Sequence, residues 1–89
     1  MRSIVTVIGH DRVGIIAEVC AMLSAQKVNI LDISQTILQG YFTMLMLVDV
    51  SACPISFTEL AKSLAENGKA TGLDIRMQRE EIFNAMHRI

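Results

Sequence analysis

The chain has 89 residues, a net charge of −1, 52% hydrophobic side chains and a mean hydropathy of +0.43. That is one small domain, and its longest apolar-rich run without a charge, Tyr41 to Val48, is far short of the ~20 residues a spanning helix needs. The excess apolar surface therefore predicts burial against a partner, while the eight scattered basic residues, from Arg2 to Arg88, argue against direct binding of nucleic acid.

Ile4-Val5-Thr6-Val7-Ile8 is β-branched at every position and apolar on both faces. That predicts a central strand covered twice. Gly9-His10-Asp11-Arg12-Val13-Gly14 breaks the pattern. From Val13 to Gln26 the spacing of Ile16, Val19, Cys20 and Leu23 is helical. Asp11 or a neighbour is expected to cap this helix. Gly14, unfavourable in a first turn by ~1 kcal/mol, predicts a strand or ligand passing within Cβ distance.

Val28 to Gln39 reads as a long strand with two mixed faces, as an edge or interface strand would have. Simple alternation puts Val28, Ile30, Asp32, Ser34, Thr36 and Leu38 together. Gly40 turns the chain into a second central strand, Tyr41 to Val50, with Phe42, Met44, Met46, Val48 and Val50 on one face. Ser56-Phe57-Thr58-Glu59 is a capping box. The helix it starts buries Phe57, Leu60, Ala61 and Leu64 and is expected to close at Asn67-Gly68. Leu73 to Gln78 alternates as a half-exposed strand with Leu73, Ile75 and Met77 inward. Glu80 to Ile89 predicts a short terminal helix.

The order is β-α-β-β-α-β. Right-handed crossovers then interlock two split β-α-β units. The expected fold is α+β: a ferredoxin-like sandwich of a four-stranded antiparallel sheet with two helices on one face, plus a short C-terminal helix. Its boundaries are a domain over residues 1–79 and a helical extension over 80–89. The other sheet face needs cover. Val5, Val7, Leu45 and Leu47, or their opposite-parity neighbours, are the residues that need it.

Little in the chain points to an enzyme. No serine, histidine and acid are brought together by this topology. His10 and Asp11 are half a metal site with no third or fourth ligand, so no metal or cofactor is expected. Cys20 lies on an apolar helical stripe, and two cysteines make no disulfide framework. With no signal-peptide pattern after Met1, a reduced cytoplasmic setting is expected. The stretch from Gly9 to Gly14 is the most informative. It joins a central strand to a helix start, where free N–H groups favour a carboxylate and Asp11 would suit an ammonium. A tight turn with a capping aspartate accounts for the same residues without any ligand.

Gly9-His10-Asp11-Arg12-Val13-Gly14-Ile15-Ile16, followed by Asn29-Ile30 at the start of the second strand, resembles the ACT domain family. The similarity runs from about Ser3 to Gln78 and is nearest to stand-alone ACT proteins and to the ACT halves of glycine-cleavage-system repressors. It implies a regulatory, non-enzymatic module whose ligand, often an amino acid, sits between two domains. The ligand-binding residues it implies are Asp11, Arg12, Val13, Gly14 and Ile15 from the loop, with Asn29 and Ile30 reaching across the interface. Val13 stands where proline is common, and Gly9 where some members carry a polar donor. The implied partners are a second copy or a higher homo-oligomer, an amino acid, and a protein that receives the signal. The competing expectation is a ligand-free dimerisation or protein-interaction module.

Overall fold

The computed structural model describes residues 2–81. In chain order the elements are β1 (Arg2–His10), α1 (Ile15–Ala25), β2 (Asn29–Leu38), β3 (Tyr41–Asp49), α2 (Phe57–Ala70) and β4 (Asp74–Arg79). They build one antiparallel sheet in the order β2-β3-β1-β4, so the two strands that are apolar on both faces are the central ones. The fold is the expected ferredoxin-like α+β sandwich. The expected terminal helix, and the extension counted from residue 80, fall mostly on residues 82–89, outside the described residues.

The register settles which face meets the helices. Val5 lies opposite Met46 and Met77, and Val7 opposite Met44 and Ile75. These residues, with Ser3, Phe42 and Val48, point to the helix side and are buried. Val19 and Leu23 of α1 and Leu60 and Leu64 of α2 close the same core. Leu45 and Leu47 lie opposite Thr6 and Ile4 on the other face. Grouping Val5 and Val7 with Leu45 and Leu47 is therefore wrong, because antiparallel partners share a face.

Several local expectations are also corrected. α1 buries Ile15, Val19 and Leu23, with Ile16 partly exposed, so its stripe begins one residue earlier. In β2 a bulge between Ile30 and Asp32 inserts Leu31. Ile30 faces the core side opposite Val48, whereas Asp32, Ser34, Thr36 and Leu38 face the open side. The serine half of the capping box at α2 forms: the Ser56 hydroxyl accepts from the Glu59 N–H at 3.1 Å, and the Glu59 carboxylate reaches back to accept from that hydroxyl at 3.1 Å. α2 does not close at Asn67-Gly68. It runs to Ala70, because Gly68 packs against β4, where a Cβ would lie 2.8 Å from Ile75. Among the described residues no helix is long and apolar enough to cross a membrane.

Candidate functional site

Central strand β1 delivers its last residue, His10, to a position opposite Tyr41, where the two rings stack 5.0 Å apart. The next backbone N–H, of Asp11, donates to the carbonyl of Gly40 at 2.8 Å. The strand-to-helix loop is thus pinned to the β2–β3 hairpin turn. Arg12 reaches the opposite way. Its guanidinium Nη2 donates to the Glu18 carboxylate at 2.6 Å and to the Thr71 carbonyl at 3.0 Å, tying the loop to α1 and to the α2–β4 turn. Two anchors on different elements hold this short loop in place.

The helix starts without the expected aspartate cap. Gly14 is the N-cap residue at φ +91°, its carbonyl accepts from the Glu18 N–H at 2.9 Å, and no side chain caps the first turn. Gly14 also has nothing within 4 Å of where a Cβ would sit. No strand passes within Cβ distance, and the left-handed conformation is itself a reason for glycine here. Close packing falls instead on Gly9, where a Cβ would lie 2.7 Å from a Leu73 methyl and 3.4 Å from the Gly72 carbonyl. A polar donor would not fit there without moving Leu73.

Of the residues singled out in the sequence, Asp11, Arg12, Val13, Gly14 and Ile15 form one contiguous end of the molecule. Val13 is 98% exposed and Ile15 is buried in the core, so Ile15 can offer a ligand only its backbone. Asn29 and Ile30 are elsewhere. Asn29 lies opposite Asp49, which lies opposite Arg2, at the start of β1. Eight residue steps along the strand separate Arg2 from His10, about 27 Å at ~3.4 Å per residue. Within one chain the two halves of the expected site stand at opposite ends of the sheet.

At Asn29's end, Asp49 accepts from the Ser51 hydroxyl at 2.6 Å and the Ser51 N–H at 2.9 Å, which pull its carboxyl from its ordinary 3.8 down to about 2. A shallow hollow of about 140 Å³ lies on the open face between β2 and β3, lined by Asp32, Ser34, Leu45 and Leu47 among others. Sequence reasoning missed the Gly40 and Thr71 carbonyls that fix the loop, since a backbone carbonyl leaves no mark in residue type. Cys20 and Cys53 are free thiols and half-buried. Among the described residues no group of three or more His, Cys, Asp or Glu is placed to hold a metal. Chemically the loop offers first-turn N–H groups that no side chain caps, and an exposed carboxylate at Asp11.

These features define a ferredoxin-like domain whose conspicuous polar loop joins its first central strand to its first helix. Residues 2–78 match the ACT domain family, and the chain belongs to that family, whose members are typically regulatory ligand-binding domains. It is 54% identical over 89 residues to a UPF0237 protein of Clostridium acetobutylicum, covering all of both chains. Among solved structures it is similar to an ACT domain protein from Streptococcus pneumoniae, at 39% identity and a TM-score of 0.83 over 98% of each chain. It also resembles a protein described as a glycine cleavage system transcriptional repressor, at 27% identity and a TM-score of 0.73, over 86% of this chain and 44% of that one.

Proposed function

We propose that this chain is a non-enzymatic, cytoplasmic sensor that binds an amino acid or a similar small metabolite at a homodimer interface. It passes the signal on through contact with another protein. The observation that carries this reading is the uncapped start of α1 beside Asp11. The N–H groups of the first turn favour a carboxylate, and the Asp11 carboxylate, released from capping, suits an ammonium. A zwitterion needs both. Asp11 and the backbone from Arg12 to Ile15 would hold it on one side, and Asn29 with Ile30 of the partner subunit on the other. Ligand acts through its different affinity for two arrangements of that interface.

The test is thermal melting at fixed protein concentration with each of the twenty amino acids. A true ligand at a hundred times its Kd adds about 2.7 kcal/mol per site, a shift of about 10–20 °C for a domain of this size. Asp11→Ala should abolish that shift and leave the fold intact. No shift with any amino acid would sink the amino-acid form of this reading. It would favour the ligand-free interaction module, which the exposed apolar residues of β2 and the hairpin support on their own.

A further inference from the structure

The face of the sheet turned away from the helices holds an apolar patch. Ile4, Thr6 and Ile8 of β1 lie there opposite Leu47, Leu45 and Thr43 of β3. Ile8 and Leu45 are 42% and 38% exposed, and Ile4 and Leu47 are half-buried. Charged side chains frame the patch. Arg2 and Asp49 stand at one end, Asp74 and Arg76 along β4, and Asp32 on β2. The shallow hollow beside Leu45 and Leu47 opens on the same face.

The chain leaves β4 toward this face. Arg79 and Glu80 are consecutive and point to opposite sides of the sheet. The Arg79 guanidinium lies over the Phe57 ring on the helix side, 5.3 Å from its centroid. Arg2 alternates with the buried Ser3 and so faces the open side, where its Nε pairs with the Glu80 carboxylate at 2.7 Å. Glu80 and Glu81 already have helical backbone. The sequence continues Ile-Phe-Asn-Ala-Met-His-Arg-Ile over residues 82–89, outside the described residues, and its spacing puts Ile82, Phe83, Met86 and Ile89 on one helical stripe. A helix so short is marginal in water by itself and needs a surface to pack on.

We infer that residues 82–89 fold back as an amphipathic helix across the open face of their own sheet, with that stripe on Ile4, Thr6, Leu45 and Leu47. Where this tail starts and how far it reaches identify it as the occupant. Eight residues of helix rise about 12 Å. Arg2 to Thr6 is four strand steps, about 14 Å. Tied at Glu80, the tail therefore spans the part of the patch nearest Arg2 and stops short of Ile8 and the hairpin turn. A second copy fits this face less well. A stable interface takes about 800 Å² from each partner, and four aliphatic side chains that are each more than half covered supply far less. The tail's reach leaves the loop from Asp11 to Ile15 uncovered, so its docking and the proposed ligand are independent of each other.

Thiol labelling tests the docking. In a full-length Cys20→Ala, Cys53→Ala chain, Thr6→Cys places one thiol of nearly unchanged size beneath the tail. Its rate of reaction with iodoacetamide should rise at least tenfold when Phe83→Asp puts a charge in the stripe. Met86→Asp, one turn further on, should act in the same way, and Asn84→Asp, on the opposite side of the helix, should change nothing. Every rate constant should be independent of protein concentration, as docking within one chain requires. Lys62→Cys, exposed on α2, should label alike in every background, and the cooperative melt should persist by circular dichroism, which separates release of the tail from loss of the fold. Equal labelling of Thr6→Cys with and without the stripe variants overturns the proposal. Protection that deepens with protein concentration overturns it too. It assigns the cover to a second copy, through that copy's tail if Phe83→Asp abolishes the protection and through its sheet if not.

Discussion

Gly14→Ala separates two reasons for a glycine at the start of α1. At φ +91° an alanine adopts the left-handed region at a cost of about 1–2 kcal/mol. The unfolded chain also loses freedom when alanine replaces glycine, which offsets about 0.4–1 kcal/mol of that. The net loss is about 1 kcal/mol, or about 4–8 °C in Tm for a domain of this size. No steric cost is added, because nothing lies within 4 Å of the new Cβ. Gly14→Asn then becomes the informative partner. Asparagine is larger than alanine yet tolerates the left-handed region better, so Gly14→Asn should melt above Gly14→Ala. Circular dichroism melts at one fixed protein concentration make the comparison, since a dimer's Tm depends on concentration. If Gly14→Asn proves as damaging as Gly14→Ala or more so, crowding rather than conformation constrains the position. A neutral Gly14→Ala would refute the conformational account as well.

Met44→Asp and Leu45→Asp test the face assignment of β3. Met44 is fully buried and Leu45 is 38% exposed, so the first should cost more than 4 kcal/mol and abolish the cooperative melt, while the second should leave the monomer fold intact by circular dichroism. Arg12→Ala removes the loop's tie to Glu18 and Thr71. Because the ion pair is exposed, the stability loss should be about 1 kcal/mol or less, but amide exchange should quicken at both Gly14–Glu18 and Thr71–Leu73. Unchanged exchange at the second segment would mean that the two elements are not coupled through Arg12. Asp49→Asn tests the lowered carboxyl. Its folded value, about 2, lies below its ordinary 3.8, so its stabilisation is complete above pH 3.8 and is lost as pH falls toward 2. The variant's Tm should fall less than that of the wild type between pH 4 and pH 2, and the two should run parallel from pH 5 to 8.

The legible parts of this fold are those in which residue type repeats over a whole element. β1 and β3 declare themselves central by being apolar on both faces, and β4 shows its inward set by strict alternation of Ile75 and Met77, in step with Leu73 just before it. β2 defeats the same reasoning at one point. A bulge adds one residue, Leu31, and every face assignment made across it flips, with no residue type to announce it. α1 was ambiguous because Ile15 and Ile16 are adjacent and equally apolar, and only the packing chooses between them. In the candidate site the glycines were recognisable and their reasons were not. Gly14 takes a left-handed conformation with no protein atom near it, whereas the glycines packed against other elements are Gly9 and Gly68. Phase and contact both depend on neighbours far apart in sequence, so the residues themselves carry no trace of them.

The placement of Asp11 and Asn29 bears on whether one copy of so small a domain can hold the proposed ligand. In an antiparallel sheet the end of β1 and the start of β2 cannot meet, because β3 runs between them in the opposite sense and fixes Asn29 beside Asp49. No side-chain motion closes a gap of about 27 Å. A site that draws on both ends, as the proposed function requires, therefore needs two copies. On the proposed function, binding and assembly are then linked in one direction and in the other. A ligand that bridges the seam tightens the dimer, and by reciprocity whatever loosens the dimer weakens the ligand. The amino-acid shift should therefore be lost at protein concentrations where the dimer dissociates and be regained where it associates. If the shift has the same size at both extremes, each chain binds its ligand alone, and the separation of Asp11 from Asn29 has no part in it.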